Sequence, residues 1–341
     1  MANFTRFRHF FPVPTMSAAG RFAIGPAACG ASAASARKLM ERQRKPDAPQ
    51  ALWLYSCRIM AVDHYENFPV ASVLLPARLR EPVAAIYWFA RNADDFADEG
   101  ELSADERRAL LGEYQAELDA IERDQPTRHP VFLRLRPVIA HYRLPLQLFR
   151  DLLDAFQQDV DKDRYRDFAD LMDYCRRSAD PVGRLLLHLF GQATAQNLER
   201  SDAICSALQL INHWQDVGID AAKGAHGRIY LPQDDMTRFG VGDEVVIRRA
   251  VGTPASADFR HLLRFQVDRA RALMLSGAPL GWDLPGRMGL EIRAIVAGGL
   301  RVLDKIEAVD YDVFKRRPKL EAFDWPLIMW RSLVRPLDSN R

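Results

Sequence analysis

A chain of 341 residues that is 48% apolar and 27% charged can bury a sizeable core, which excludes the disordered and fibrous classes. Its net charge of +2 hides nine Lys/Arg against two acids in residues 1–60, so the rest has no basic excess and a nucleic-acid partner is excluded. The four cysteines lack CxxC spacing and no run of 18 uncharged apolar residues occurs, which argues against a disulfide framework, a zinc site and an ordinary transmembrane helix.

Residues 1–40 contain no acid and are rich in Ala, Gly, Ser, Phe and Arg, a composition shared by transit peptides and by overlong start assignments, with Met16 and Met60 as alternative starts. Residues 1–46 are therefore set apart as an N-terminal extension, and 47–341 read as one all-α domain. Apolar residues recur at three and four, not two, and predict helices over 48–61, 80–98, 104–123, 129–142, 146–160, 168–178, 181–198, 202–221, 243–251, 257–275, 287–309 and 319–334. Ser103 with Glu106 reads as a capping box, Pro82 suits a first turn, and Ser201 or Asp202 suits the cap of the helix carrying Asn212. The piece 222–242 is the one long irregular segment, placed where a phosphate-contacting loop would sit.

Two segments carry chemistry. Tyr87, Arg91, Asp94 and Asp98 fall at offsets of four, three and four, on one helical stripe. Asn212, Asp216 and Asp220 repeat that spacing among apolar neighbours such as Leu208, Ile211 and Trp214, where charges are costly unless a metal or partner compensates them. Carboxylates one turn apart, about 6 Å along the axis, suit Mg²⁺, which takes oxygen ligands and keeps phosphate and water among them. Such ions would stabilise a departing diphosphate, and Phe68, Tyr87, Phe89 and Trp214 are candidates to line a dry aromatic pocket for the resulting carbocation. A solvated acidic face and ordinary core packing are the plainer readings of the same residues.

The chain resembles the squalene/phytoene synthase family through Tyr87-x-x-x-Arg91-x-x-Asp94-Asp95-x-x-Asp98, Tyr174-Cys175, Pro181-Val182-Gly183, Asn212-x-x-x-Asp216-Val217-Gly218-x-Asp220 and Arg228-Ile229-Tyr230-Leu231-Pro232. The segments His64 to Ser72, Tyr174 to Gly191 and Arg317 to Pro326 look like its HpnC branch, from bacterial hopanoid synthesis. The resemblance implies an all-α isoprenoid synthase bundle with a central cavity, two or three Mg²⁺ ions on Asp94, Asp98, Asn212, Asp216 and Asp220, and no NADPH. It implies presqualene diphosphate and water as substrates and hydroxysqualene as product. A sister enzyme would supply the substrate, and a flavin-dependent reductase would consume the product. His64 is expected near the diphosphate; Arg91, Tyr174, Gly183, Arg228 and Arg316 are expected to bind substrate, with Phe68 beside them.

Tyr65, Asn67, Gln215 and Gly299 depart from the family's pattern at positions expected to hold diphosphate or cation, which favours a single preformed substrate over condensation of two. The loop from Asp220 to Arg228 is about three residues longer than the family leads one to expect, which puts Arg228 in question. Asp159-x-Asp161-x-Asp163 begins like a calcium loop but has Arg164 where Gly is needed, and reads as a polar helix end. His213, off the acidic stripe, reads as a satisfied core histidine. The aromatic segment 324–331 could touch a bilayer or pack on the domain, so a cytoplasmic location with peripheral contact at the inner membrane face is expected. A complete squalene or phytoene synthase, a non-catalytic relative and a terpene cyclase are the competing readings.

Overall fold

The computed structural model describes residues 75–98, 102–223, 226–249 and 254–334. The helix predicted over 48–61, together with His64, Tyr65, Asn67 and Phe68, lies outside them, as does the Asp98 side chain.

Among the described residues the helical periodicity is realised in α1 (Ala77–Asp98), α2 (Ala104–Glu122), α3 (Pro130–Tyr142), α4 (Leu146–Asp161), α5 (Phe168–Ser178), α6 (Asp180–Leu189) and α7 (Ala195–Asp220). Short α8 (Gln233–Arg238) and α9 (Asp243–Arg249) precede α10 (Ala257–Gly277), α11 (Leu280–Asp283), α12 (Gly286–Ala308), a 3₁₀ turn (Ala322–Asp324) and α13 (Trp325–Leu333). Among the described residues the extended pairing is confined to one bridge, Arg164 with Ile229. The all-α expectation holds.

Local chemistry explains the boundaries. Glu106 accepts from the Ser103 backbone at 2.9 Å while the Ser103 hydroxyl accepts from the Glu106 backbone at 3.3 Å, the capping box read from the sequence. Pro82 is inside α1, one turn later than expected. The helix predicted over 181–198 is instead broken: Gly191 adopts φ +67°, and the Gly191 and Gln192 N–H groups reach back to His188 and Leu187, a glycine-terminated helix end. The chain restarts at Thr194, whose hydroxyl accepts from the Asn197 N–H at 3.2 Å, so α7 is capped seven residues ahead of Ser201.

Two apolar clusters share the bundle. Leu79, Ile86, Phe89, Phe132, Phe149 and Leu152 centre the first, on α1 to α4. Leu171, Leu210, Trp214, Leu262, Val267 and Leu303 centre the second, on α5, α7, α10 and α12. Helix α6 joins them, giving Leu185 and Leu189 to one and Leu187 to the other, and packs on both α1 and α7. Every residue of α7 from Ser206 to Val217 is buried, as expected of a helix surrounded on all sides.

Close approach of α6 to α7 depends on Gly183, where a Cβ would meet the Ser201 hydroxyl at 2.3 Å and the Cys205 sulfur at 2.6 Å. At the start of α6, Asp180 is buried and accepts from the Ser206 hydroxyl at 2.7 Å. Burial foremost, then the charge of Asp202, pushes its carboxyl up to about 8.

Candidate active site

The α1 stripe turns inward. Tyr87, Arg91 and Asp94 are all buried, with Arg91 3.9 Å from the Asp94 carboxylate and 2.8 Å from that of Asp95. Phe89 points to another side of α1, meeting Phe149 and Phe132 edge-on at 5.1 and 5.7 Å; it is core, not pocket lining.

The second stripe is as deeply placed. Asn212, Asp216 and Asp220 are at most 4% exposed. Both Asp216 oxygens accept from Arg317, one from Nε and one from Nη2 at 3.0 Å, a bidentate clamp. Lys223 lies 3.1 Å from Asp220. The Asn212 amide is wholly buried, and neither its oxygen nor its nitrogen has a hydrogen-bond partner among the described residues. An unmet buried amide costs about 1–3 kcal/mol per group, a cost that a bound ligand would relieve.

Arg316 does not reach this stripe: it is exposed and lies 3.4 Å from Glu321. Its neighbour Arg317 does, because Gln215 donates to the Pro318 carbonyl at 2.5 Å and so anchors the segment against α7. The amide at position 215 thus acts as a backbone tether. The arginine that pairs with Asp216 is Arg317, one residue after the position expected from the sequence.

A second network borders Asp220. The Arg228 N–H donates to the Asp220 carbonyl at 2.9 Å, and its guanidinium donates to the Asp159 carbonyl at 2.5 Å and the Tyr230 hydroxyl at 3.3 Å. Tyr174, fully buried, donates to the Asp159 carboxylate at 2.8 Å. Arg228 is therefore held beside Asp220 despite the longer loop, with Arg164 bracing the loop by bonds to the Gly227 and His226 carbonyls at 2.6 and 3.0 Å. His213 stacks on Tyr230 with ring centres 3.7 Å apart, and both line a small cavity with Val217, Asp220, Arg228, Ile229 and Leu231. Tyr165 stacks on the same Tyr230 at 5.4 Å; burial foremost, then Asp159, raises its phenol well above the ordinary tyrosine value and keeps it neutral.

Asp159 was missed by reading 159–163 as a polar helix end. It shares the buried face of α4 with Leu148, Leu152, Ala155 and Phe156, and an acid on an apolar stripe was the available signal. Asp161 and Asp163 are the surface residues of that run, and Asp161 pairs with Arg108 at 2.6 Å. Gly183 is not gathered with the carboxylates: Cys205, its α7 neighbour, precedes Asn212 by seven residues, about 10 Å of helix.

Among the described residues no group of three or more His, Cys, Asp or Glu is arranged to hold a metal ion. The donor set is all oxygen, from buried aspartates and the Asn212 amide, and suits a hard cation. Each acidic stripe also carries its own intrachain cation. Buried carboxylates beside arginine and lysine can exchange those partners for divalent ions while the cations turn to an anionic substrate.

Comparison with known proteins is consistent across sequence and fold. Residues 61–324 match the sequence pattern of the family described as squalene/phytoene synthase. Hydroxysqualene synthase of Rhodopseudomonas palustris is 35% identical over 247 residues, covering 72% of this chain and 80% of that protein. Phytoene synthase of Mycobacterium tuberculosis is 33% identical over 254 residues, covering 74% and 82%. The crystal structure of squalene synthase HpnC from Alicyclobacillus acidocaldarius superposes with a TM-score of 0.68 at 36% identity, over 76% of this chain and 94% of that one.

Proposed function

Because this chain belongs to the squalene/phytoene synthase family, whose members process prenyl diphosphates, we propose that it converts presqualene diphosphate and water into hydroxysqualene and diphosphate. The observation that carries the reading is the buried Asn212, Asp216 and Asp220 stripe, capped by Arg317 and Lys223. Two or three Mg²⁺ ions on Asp94, Asp98, Asn212, Asp216 and Asp220 belong to the proposal, and when bound would neutralise the diphosphate as its carbon–oxygen bond ionises.

The chain's own residues supply the rest. Arg91, Arg228 and Arg317 offer guanidinium groups to the anionic head, and bidentate arginine geometry matches phosphate as well as carboxylate. Asp159 fixes Tyr174 and Arg228 together, so a phenol and a cation are presented in one orientation. The stacked Tyr165, Tyr230 and His213 rings make an aromatic wall beside Asp220, where a cation is stabilised by ring faces and bulk water is excluded.

Two positions favour the single-substrate half-reaction. Gln215 is engaged with the Pro318 carbonyl and adds no cation for a second diphosphate. At Gly299 a Cβ would already meet the Met274 methyl at 2.7 Å and Leu208 at 3.3 Å, so no phenol is accommodated there without repacking. The competing reading, condensation of two prenyl diphosphates, is favoured by the similarity to phytoene synthase.

Incubation of the purified full chain with presqualene diphosphate and Mg²⁺, with and without NADPH, separates the two by mass identification of products. Hydroxysqualene in equal yield under both conditions is expected. Efficient condensation of farnesyl diphosphate to presqualene diphosphate, or to squalene when NADPH is added, or of geranylgeranyl diphosphate to phytoene, would overturn the proposal. The enzyme's place in this reading is between one that makes the cyclopropyl diphosphate and a reductase that removes the hydroxyl.

A further inference from the structure

Of the eight large apolar side chains exposed among the described residues, five fall between positions 323 and 334: Phe323, Met329, Trp330, Leu333 and Val334. Phe323, Trp330 and Leu333 are each more than 60% exposed. Met329, Trp330, Leu333 and Val334 follow offsets of one, four and five, which puts them on the same side of α13 and its end. The opposite side of that helix is fastened down. Ile328 and Ser332 are buried, Arg293 donates to the Ser332 carbonyl at 2.7 Å, and Arg331 pairs with Asp304 at 3.0 Å. The apolar face is therefore presented by a docked helix, not by a frayed end.

Its electrical surroundings are one-sided. Residues 315–334 hold five Lys/Arg and two acids. Asp324 is buried between Arg301 and Lys305, at 2.7 Å from each, and Glu321 is shared between Lys305 at 3.0 Å and Arg316 at 3.4 Å. Lys315, Arg316, Lys319 and Arg331 are exposed. The cations project further than the acids they pair with: Lys315 lies 3.6 Å from the buried Asp312 and Arg316 3.4 Å from Glu321, yet both cations are exposed. Aromatic and aliphatic side chains on a short helix flanked by outward-facing cations are the composition of an interfacial anchor, with tryptophan suited to the headgroup boundary. No helix among the described residues is long and apolar enough to cross a membrane, so the contact is at the surface.

We propose that the face formed by Phe323, Met329, Trp330, Leu333 and Val334 docks on the interfacial zone of an anionic lipid bilayer, with Lys315, Arg316 and Lys319 meeting the headgroups. The cationic rim selects this occupant over a second copy of the chain, which would bring the same positive charges face to face. The inference stands on the patch alone and is independent of which reaction the site performs.

The test is flotation of the full chain with vesicles of phosphatidylcholine alone and with 30% phosphatidylglycerol, at low and at physiological salt. Binding to the anionic vesicles, weakened by salt, is expected. The triple variant Phe323→Ser, Trp330→Ser, Leu333→Ser should lose about a hundredfold in partitioning. Lys315→Gln, Arg316→Gln and Lys319→Gln together should lose about fivefold per charge on anionic vesicles, with no further loss on neutral ones. All six positions are exposed, and an unchanged melting temperature verifies folding. Absence of flotation on anionic vesicles, or equal flotation by the serine variant, would overturn the proposal. So would a parent dimer that the serine variant converts to monomer without vesicle binding, which would assign the face to self-association.

Discussion

Replacing Arg317 by methionine keeps most of the side chain's length while removing both guanidinium bonds to Asp216, and its consequences run in opposite directions for stability and for metal affinity. The aspartate is 4% exposed and the arginine side chain 19% exposed, so the pair is largely withdrawn from water. Breaking such a pair by removing one partner costs about 3–5 kcal/mol, and partial access of water to Arg317 puts this case near 3. For a chain of this size that is a fall of about 4 °C in melting temperature. The same change leaves the acidic stripe one charge more negative, so Mg²⁺ alone should recover more of the lost stability in Arg317→Met than it adds to the parent. Inorganic diphosphate added with Mg²⁺ should then stabilise the variant less than the parent, because one anion-facing guanidinium is gone. Thermal unfolding in a matrix of Mg²⁺ and diphosphate reads all three effects. Equal stabilisation of parent and variant by Mg²⁺ alone would refute the view that Arg317 holds the place of a cation at Asp216.

Asp94→Asn and Asp216→Asn should each abolish product formation while leaving helical circular dichroism intact; turnover within threefold of the parent in both would remove the metal-site assignment. Asp159→Asn keeps the volume and the backbone bond to Arg228 but removes the charge that accepts from Tyr174 and lies 3.8 Å from the Arg228 guanidinium, and a loss of about tenfold in kcat/KM is expected, equivalent to about 1.4 kcal/mol; an unchanged value would make the network purely structural. Asp180 gives a pH signature. Its carboxyl is raised from 3.8 to about 8 in the fold, so its contribution to stability is full below pH 4 and is lost as pH rises towards 8. Asp180→Asn should flatten that slope and be the more stable protein above pH 8, by denaturant unfolding across pH; parallel slopes for parent and variant would count against it.

The acidic stripes were legible because they are local. Asp94 and Asp216 announce themselves by helical spacing inside apolar helices, and a helix turns that spacing directly into a shared face. Ser103 and Glu106 were legible for the same reason, since a capping box is complete within four residues. The break at Gly191 was not, because a helix of apolar periodicity on both sides reads as continuous, and what ends it is one left-handed residue with its backbone bonds. Arg317 was hidden by its neighbours. Three consecutive cations outside a helix carry no period that says which turns inward, and the tether that decides it comes from Gln215, 103 residues before Pro318. Asp159 failed to show for a related reason: Tyr174 and Arg228 lie 15 and 69 residues further on, beyond any local pattern.

The bond between the Arg228 N–H and the Asp220 carbonyl joins the exit of the connecting loop to its entrance. Whatever length of chain runs between them, the arginine leaves from the end of the helix that carries the aspartates. Doubling such an excursion costs only about 0.6 kcal/mol in closure entropy. Insertions can therefore accumulate here over evolutionary time without moving the guanidinium, and the same spot is where an engineer could splice in a reporter peptide and still expect a working enzyme.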